Sequence, residues 1–283
     1  MDYQAQAIIL KTYRLGEVDK ILHLYSRQHG PLRVVAKSAY KIKSKIGAKA
    51  QVLNCLDLIL ATGRNLDIIK EASRIDNFAA INSNYSALSL SYLMVDILDH
   101  IAISDDQYQE PFDLLFNHLK QMNQISMGSD VDQEELMLAA SARYLWRLIK
   151  ILGYKPELDH CSLSHKKRAT NQIPQYFDFA NGSITSSMAR SNSLEQNPYQ
   201  DQIQEMRPGV FKVLHYFNLL DTYNQDLNAQ TILMQLNSMN DRSRSLNNSL
   251  AFLQKHLSFM IHKEFKSWKL VDELLNPQLA EVA

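Results

Sequence analysis

The chain has 283 residues, of which 46% are hydrophobic and 21% charged, and this composition excludes an intrinsically disordered chain and predicts about two folded domains. Two cysteines are too few for a disulfide framework, which favours a cytoplasmic protein, and without ~18 successive apolar residues or a secretory signal we expect neither a membrane span nor export. The net charge is zero, but residues 1–80 carry 13 basic against 7 acidic side chains and the remainder carries 17 against 23.

Short apolar segments separated by turn residues fill the first part of the chain. The five predicted strands are residues 7–13, 21–25, 32–36, 55–61 and 66–72. Gly16, Gly30 and Gly63 fall in the turns between them. Five short strands of this kind favour a small closed sheet, since closure removes exposed strand edges. A barrel of OB type fits this pattern and an SH3-like barrel fits it about as well, so strand counting leaves both open.

After about residue 77 the apolar residues recur with the spacing of helices. One predicted helix face consists of Tyr85, Leu88, Tyr92, Val95 and Leu98. Residues 135–152 predict a largely buried helix, because three basic residues form a narrow polar stripe and most of the remaining positions are apolar. That stripe consists of Arg143, Arg147 and Lys150. A last helix, with Ser245 as its expected N-cap, presents the apolar row Leu246, Leu250, Leu253, Leu257, Ile261 and Phe265.

Two polar stretches interrupt these helices. Residues 123–133, which include Gly128, predict a loop. Residues 162–207 are rich in Ser, Asn and Gln and predict an irregular excursion. The sequence therefore predicts a barrel over residues 1–80, and a mainly α-helical domain over 81–283 with an irregular insertion at about 157–207.

The strongest functional signal is a run of basic residues without an acid between Asp19 and Asp57. If residues 41–45 are extended, Lys41, Lys43 and Lys45 point to one side; if the run is helical, lysines at steps of four share a face. Either arrangement suits a phosphate backbone, because neutralising phosphates releases condensed counterions. Tyr40 lies in the run and can stack on an unpaired base, which is worth roughly 1–3 kcal/mol per base. The alternative is a solvated, lysine-rich loop.

Metal and enzyme sites are weakly supported. Cys161 has His160 and His165 nearby but no second pair of ligands, so a polar surface with a half-buried thiol is favoured over zinc. The paired carboxylates at residues 105–106 (Asp105, Asp106) and 134–135 are expected to be solvated charges near helix ends. Neither a nucleophile elbow nor a Gly-rich phosphate loop is present. We therefore expect no catalytic activity and no cofactor.

Four segments, in order along the chain, carry a family resemblance. Residues 13–22 read YRLGEVDKIL, residues 35–45 read VAKSAYKIKSK, residues 152–158 read LGYKPEL, and residues 262–267 read HKEFKS. Together they resemble the RecO family of bacterial recombination mediators. The basic segment departs from the family pattern, since Ser38 replaces a glycine and Tyr40 replaces a basic residue.

The resemblance also concerns a zinc module. Many family members carry two Cys-x-x-Cys pairs, whereas here Cys161 is followed by Ser162, Leu163 and Ser164. The second pair falls on Ser186 and Ala189. Cys161 is thus the only remnant of the family's zinc site, and we expect no metal.

The resemblance implies an α+β protein with an N-terminal five-stranded OB-type β-barrel and a C-terminal helical domain that contains a degenerate zinc module. It implies binding of single- and double-stranded DNA, strand annealing, and loading of recombinase onto strands coated by single-strand binding protein. The implied partners are RecR and the acidic tail of single-strand binding protein, in the bacterial cytoplasm at the nucleoid. Rival interpretations are an RNA-binding OB protein and a protein adaptor whose basic loop only solubilises the barrel.

The residues that we expect to contact DNA are basic residues of the first domain together with Tyr40 for stacking. They are Arg14, Arg33, Lys37, Tyr40, Lys41, Lys43, Lys45 and Lys49. The acidic tail of the partner needs a groove with an apolar floor and nearby positive charge. Arg143, Arg147 and Lys150 are candidates for that charge.

Overall fold

The computed structural model describes residues 1–101, 108–129, 132–169, 172–185, 202–222, 228–239, 241–265, 267–269 and 271. The chain divides into two compact units, Met1–Asp130 with Phe265–Ala283 and Val131–Glu264. No helix among the described residues is both long and apolar enough to span a bilayer. Asp105 and Asp106, the first of the paired carboxylates, lie outside the described residues.

The first unit is built on a closed barrel of five strands. Their bounds are β1 Asp2–Leu15, β2 Asp19–Ser26, β3 Gly30–Ala36, β4 Cys55–Ala61 and β5 Asp67–Asp76. Each coincides with one of the predicted apolar segments, so the predicted strands are confirmed. β1 and β5 extend beyond the predicted segments because their outer ends continue to pair with neighbouring strands, as in Asp2↔Ala61 and Cys55↔Asp76.

The strand order decides between the two barrel types. It is β1-β2-β3-β5-β4, and β4 pairs with β1 to close the sheet. All pairs are antiparallel except β3 with β5, which run parallel at Val34↔Asp67 and Val35↔Ile68. This connectivity is that of the OB fold, a five-stranded Greek-key barrel, and the SH3-like alternative is wrong.

Alternate residues of the strands fill the barrel. Successive side chains of a strand point to opposite faces, so the apolar positions at steps of two meet inside. The interior includes Ala5, Ala7, Ile9, Leu22, Leu24, Val34, Ala36, Leu56, Leu58 and Leu60, each buried. A bulge between Ile9 and Lys11 interrupts the register of β1 with β2, and beyond it Lys11 pairs with His23.

Two helices cover part of the outside of this barrel. They are α1 (Tyr85–His100), which packs on β1, and α2 (Gln109–Met127), which packs on β1 and β2. Lys11 of β1 lies 2.9 Å from a carboxylate oxygen of Asp96 and 3.0 Å from one of Asp99, both in α1. These ion pairs fix the helix against the outward-facing side of the strand.

The helix predictions in this unit need two corrections. The predicted face of α1 is correct at Val95 and Leu98, which are buried, and wrong at Tyr85 and Tyr92, which are 65% and 39% exposed. The loop predicted at 123–133 is wrong in its first half, because α2 continues to Met127. The polar Asn123 belongs to the helix, and its side chain accepts a 2.9 Å hydrogen bond from the backbone N–H of Ala80.

The second unit combines helices with a small sheet. The helices are α3 Gln133–Ile151, α4 Pro208–Thr222, α5 Ala229–Gln235 and α6 Arg242–Ile261. The strands are β6 Glu157–Cys161, β7 Tyr176–Asp178, β8 Ser183–Thr185 and β9 Ile203–Glu205, in the order β6-β8-β7-β9. The described part of the predicted insertion thus contains a sheet. Helix α6 begins before the predicted N-cap, and Ser245 instead donates its hydroxyl to the carbonyl of Asp241 within the helix.

A buried ion pair joins α3 to α4. Arg143 lies 2.9 Å from a carboxylate oxygen of Asp221, and the two side chains are only 8% and 7% exposed. The indole N–H of Trp146 donates to the other oxygen at 2.9 Å. Burial alone would raise the pKa of Asp221, but the hydrogen bond from Trp146 and the charge of Arg143 outweigh it and hold this pKa below its usual range.

Replacing Asp221 by asparagine is expected to lower the free energy of unfolding by about 3 kcal/mol at neutral pH, since it leaves the Arg143 charge buried without a countercharge. The folded-state pKa of Asp221 is depressed, so its contribution is full above the ordinary carboxyl pKa and disappears as the pH falls through the folded value. Denaturant unfolding at neutral and acidic pH measures both effects.

Glu205→Gln is the control for that measurement, because it neutralises an exposed carboxylate in the same unit. It is expected to change the free energy of unfolding by less than about 0.5 kcal/mol. Equal losses in the two variants, or a difference that does not shrink towards acidic pH, would contradict the role given to Asp221.

Candidate nucleic-acid interface

The predicted basic run forms the connection between β3 and β4, residues 37–54, which we call the basic loop. It is a succession of tight turns. The N–H of Lys41 donates to the carbonyl of Ser38 at 3.1 Å, and that of Ser44 to Lys41 at 2.9 Å. The loop is therefore neither extended nor helical, and both conformations considered from the sequence are wrong.

Two lysines tie the basic loop to the barrel. Lys20 of β2 is 7% exposed and donates its ammonium group to the carbonyl of Ala50 at 3.1 Å. Lys49 is half-buried and donates to the carbonyl of Ala72 in β5 at 2.5 Å. A buried ammonium must be hydrogen-bonded, so these interactions hold the far end of the loop against the barrel.

The near end of the basic loop is fixed by a strained residue. Ser38 has a φ of 56°, a left-handed conformation that favours the glycine it replaces in the family pattern. The carboxylate of Asp19 accepts the N–H of Ser38 at 2.6 Å and holds this conformation. Further along, a side chain at Gly47 would place its Cβ 2.4 Å from the carbonyl oxygen of Ala39, so only glycine allows the loop to fold back on itself.

The remaining lysines of the loop are directed to solvent. Lys37, Lys41, Lys43 and Lys45 are all exposed. Within the part of the chain that the structure describes, none of these four forms an ion pair with an acidic residue. Their positive charge is thus not neutralised by these carboxylates, and the turns present it along one connection of the barrel.

Tyr40 lies between two cations. Its ring is 47% exposed, and its centroid is 5.4 Å from the guanidinium carbon of Arg14 and 4.9 Å from the ammonium nitrogen of Lys20. Arg14 and Lys20 are register partners at the ends of β1 and β2. A cation near the ring face is attracted by its quadrupole, so the two basic residues fix the tyrosine while part of its surface stays accessible.

Lys20 is a site residue that sequence reasoning missed. It belongs to the basic run but was not expected to have a role distinct from the other lysines. The alternation in β2 places it on the same side as Leu22 and Leu24, which line the barrel, so strand periodicity is the signal that identifies it. Arg33, in contrast, lies in β3 opposite His23, outside the basic loop.

The environment of Cys161 does not fit a zinc ion. The described residues contain no group of three or more His, Cys, Asp or Glu side chains that could hold a metal, and Ser186 and Ala189 lie outside them. Cys161 lines a pocket of about 230 Å³ together with Lys166, Lys167 and Arg168. Three cations beside one thiol disfavour a divalent cation, so the donor set and the charge both argue against the metal.

Arg168 connects the strands around this pocket. Its side chain is 6% exposed and donates to the carbonyls of Leu158 at 3.2 Å and Gln172 at 2.7 Å. It also lies 3.3 Å from a carboxylate oxygen of Asp159 and over the ring of Phe211 at 4.8 Å. This guanidinium therefore bridges segments that are separate in sequence.

The closed barrel with its basic loop, followed along the chain by helices, places this protein in the class that combines an OB-fold unit with a helical unit. Residues 1–78 match the family model "Recombination protein O N terminal", and residues 82–199 match "Recombination protein O C terminal". The two matches cover more than two thirds of the chain, and the protein belongs to the RecO family.

Curated relatives share this family name. The chain is similar to the DNA repair protein RecO of Cutibacterium acnes, 34% identical over 164 residues, which cover 56% of this chain and 64% of that protein. It is also similar to DNA repair protein RecO of Trichodesmium erythraeum, 30% identical over 159 residues, with 56% and 55% covered. The matched region thus spans 64% and 55% of the lengths of these relatives.

Replacing Arg168 by alanine is expected to lower the free energy of unfolding by about 2–4 kcal/mol, because several charge-assisted hydrogen bonds are removed together.

Incubation of the unaltered protein with a chelator is expected to leave the melting temperature unchanged, whereas a structural zinc site would be destabilised by it. Thermal unfolding of the unaltered protein with and without chelator, and of Arg168→Ala without it, measures the two effects.

The neighbouring Lys167→Ala serves as control, since Lys167 is exposed. Its melting temperature should equal that of the unaltered protein. A drop in melting temperature on chelation would show that a metal supports this unit.

Proposed function

We propose that this chain binds single- and double-stranded DNA through the basic loop and the adjacent end of the barrel, and promotes the annealing of complementary strands. The observation that carries the proposal is the set of four exposed lysines on a loop fixed at both ends, next to a tyrosine held by two cations. A preorganised loop loses little conformational entropy on binding. OB barrels bind oligonucleotides through their sheet face and connecting loops.

The residues assigned to DNA have different roles in this proposal. Arg14, Arg33, Lys37, Lys41, Lys43 and Lys45 contact phosphates, and Tyr40 stacks on an unpaired base. Lys49 belongs to the predicted set, but its ammonium already donates to the carbonyl of Ala72. We therefore assign to Lys49 the shaping of the loop.

Annealing requires no covalent step under this proposal. Two DNA strands repel one another through their phosphates, and a surface that neutralises part of this charge lets them approach. We assign DNA binding to the barrel segment, residues 1–80 of the first unit, and protein binding to residues 81–283, including the insertion at about 157–207. The family and the name of its relatives, DNA repair protein, support a role as recombination mediator.

The proposed partners follow from the same family membership. They are RecR and the acidic tail of single-strand binding protein, and the proposed role is loading of recombinase onto coated strands in the cytoplasm at the nucleoid. For the acidic tail, Arg143 is a poor candidate because it is buried against Asp221. Lys150 remains a candidate, since its side chain is 49% exposed, although its ammonium nitrogen lies 3.5 Å from a carboxylate oxygen of Asp221.

RNA is the principal alternative ligand, because phosphate contacts and stacking do not read the sugar. A competition experiment with DNA and RNA oligonucleotides of the same sequence separates the two. Preference for DNA supports the proposal, and preference for RNA overturns it. Absence of binding to either favours a protein adaptor.

The triple variant Lys41→Ala/Lys43→Ala/Lys45→Ala is expected to bind a single-stranded oligonucleotide with a weaker dependence on salt. The slope of log affinity against log salt should shrink by about 0.7 for each phosphate that is no longer neutralised, and so by about 2 in all. Annealing of complementary oligonucleotides should slow in parallel. Fluorescence anisotropy across a salt series measures the slope.

The matched control is Lys70→Ala/Lys120→Ala/Lys269→Ala, which removes the same charge from three exposed lysines of the first unit outside the basic loop. Its slope is expected to stay close to that of the unaltered protein. If the slope shrinks equally in both triple variants, net charge and not the basic loop determines binding.

A further inference from the structure

Ile42 is an apolar side chain that is fully exposed to water. Its relative exposure is 104%, the highest value of any large hydrophobic residue among those that the structure describes, and Met1 follows with 102%. In the free protein this side chain therefore contributes no burial of apolar surface to folding. Neither the DNA contacts assigned above nor the barrel core makes use of it.

The position of Ile42 in the basic loop is rigid. The hydrogen bond from the N–H of Ser44 to the carbonyl of Lys41, at 2.9 Å, places Ile42 and Lys43 at the centre of a tight turn. The hydroxyl of Ser44 in turn accepts the N–H of Gly47 at 3.0 Å. A β-branched side chain has few rotamers, so its orientation at the tip of this turn is also restricted.

The charges around Ile42 indicate the kind of ligand that it contacts. Lys41 and Lys43, on either side of it, are exposed, and Lys45 follows two residues later. Any polyanion held by these lysines brings its own surface against the isoleucine. In a nucleic acid the apolar surface available beside the phosphates is the face of the bases, and apolar side chains of this size are known to insert between base steps.

We propose that Ile42 is an apolar wedge that inserts between neighbouring bases of the DNA bound by the basic loop. This inference rests on the proposed function, because the lysines deliver the strand to the wedge. The wedge separates stacked bases and so presents them for pairing with a complementary strand. Tyr40, two residues earlier, offers an aromatic surface on the same loop for a base released in this way.

An anionic membrane is the other partner that combines negative charge with an apolar interior. A single isoleucine side chain is much smaller than a myristoyl chain, and one myristoyl chain gives only marginal membrane binding. The observations therefore favour DNA, and vesicle binding becomes an outcome of the experiment.

The test compares Ile42→Ala and Ile42→Leu with the unaltered protein on a single-stranded oligonucleotide that contains 2-aminopurine, whose fluorescence rises when its neighbours unstack. Ile42→Ala is expected to abolish this rise and to weaken binding by up to about 60-fold, since it removes three carbons and each carbon taken out of water favours binding by about a factor of four. The salt slope should not change, because all charges remain. Ile42→Leu keeps the apolar volume and should restore both signals.

The control Met234→Ala removes another exposed apolar side chain, 73% exposed in the second unit, and should leave the fluorescence and affinity unchanged. Thermal unfolding checks that each variant folds, which full exposure of Ile42 predicts. Unaltered fluorescence and affinity in Ile42→Ala, with a reduced salt slope in the triple lysine variant, would overturn the wedge and leave the proposed function standing. Absence of DNA binding by the unaltered protein would overturn both.

A parallel titration with vesicles of phosphatidylcholine and phosphatidylserine examines the membrane. If Ile42→Ala no longer binds vesicles but keeps the affinity for DNA and the 2-aminopurine signal, the isoleucine serves a lipid surface and the wedge is wrong. If vesicles do not bind, or bind equally to Ile42→Ala and the unaltered protein, a lipid role is excluded. The affinity for DNA and the 2-aminopurine signal then support or overturn the wedge.

Discussion

The burial of Lys20 is the constraint on which the first unit depends. Its ammonium enters the end of the barrel, where a charge without hydrogen-bond partners would cost several kcal/mol. The carbonyl of Ala50 provides a partner, but Ala50 belongs to the basic loop and reaches Lys20 only when the loop is folded. The barrel end and the loop therefore stabilise one another, and a surface that would otherwise be a mobile lysine-rich connection takes a defined shape.

Arginine and lysine are used differently in the two units. In the second unit Arg143 and Arg168 are buried, and each is hydrogen-bonded to a carboxylate and to backbone carbonyls. A planar guanidinium with five donors suits such fixed, multiple contacts. In the basic loop the exposed cations are lysines, whose flexible stems and strongly hydrated charges suit a ligand with a regular charge and no fixed geometry. The four exposed lysines of the basic loop thus provide surface charge, while Arg143 and Arg168 stabilise the fold.

The sequence predicts the barrel well because a period of two residues is a local property. Leu22 and Leu24 face inward whichever strands lie beside them, and the same holds for the other strand segments. The connectivity that distinguishes an OB barrel from an SH3-like one is not local, since it depends on the pairing of Val35 with Ile68. Only the family resemblance supplied it in advance.

The basic loop shows the opposite case. Its conformation depends on acceptors and donors far away in sequence, among them Asp19 at one end and Ala72 at the other. A run of lysines contains no signal for these interactions, so regular extended or helical geometry was the natural but wrong expectation. The predicted face of α1 is wrong at Tyr85 and Tyr92 for a different reason, since a hydrophobicity pattern does not anticipate the exposure of these aromatic residues.

Closure of the barrel also means that one strand edge stays unpaired while the chain is being synthesised. β1 pairs with β4, from Ile8↔Cys55 to Asp2↔Ala61, so one edge of the nascent β1–β3 sheet has no partner until residue 61 has been synthesised. At roughly 5–20 residues per second this interval lasts on the order of seconds. The lysines of the basic loop are translated within it, directly after β3. Like charges directly after an apolar strand disfavour its pairing with another copy, so the position of these lysines matches that of gatekeeper residues.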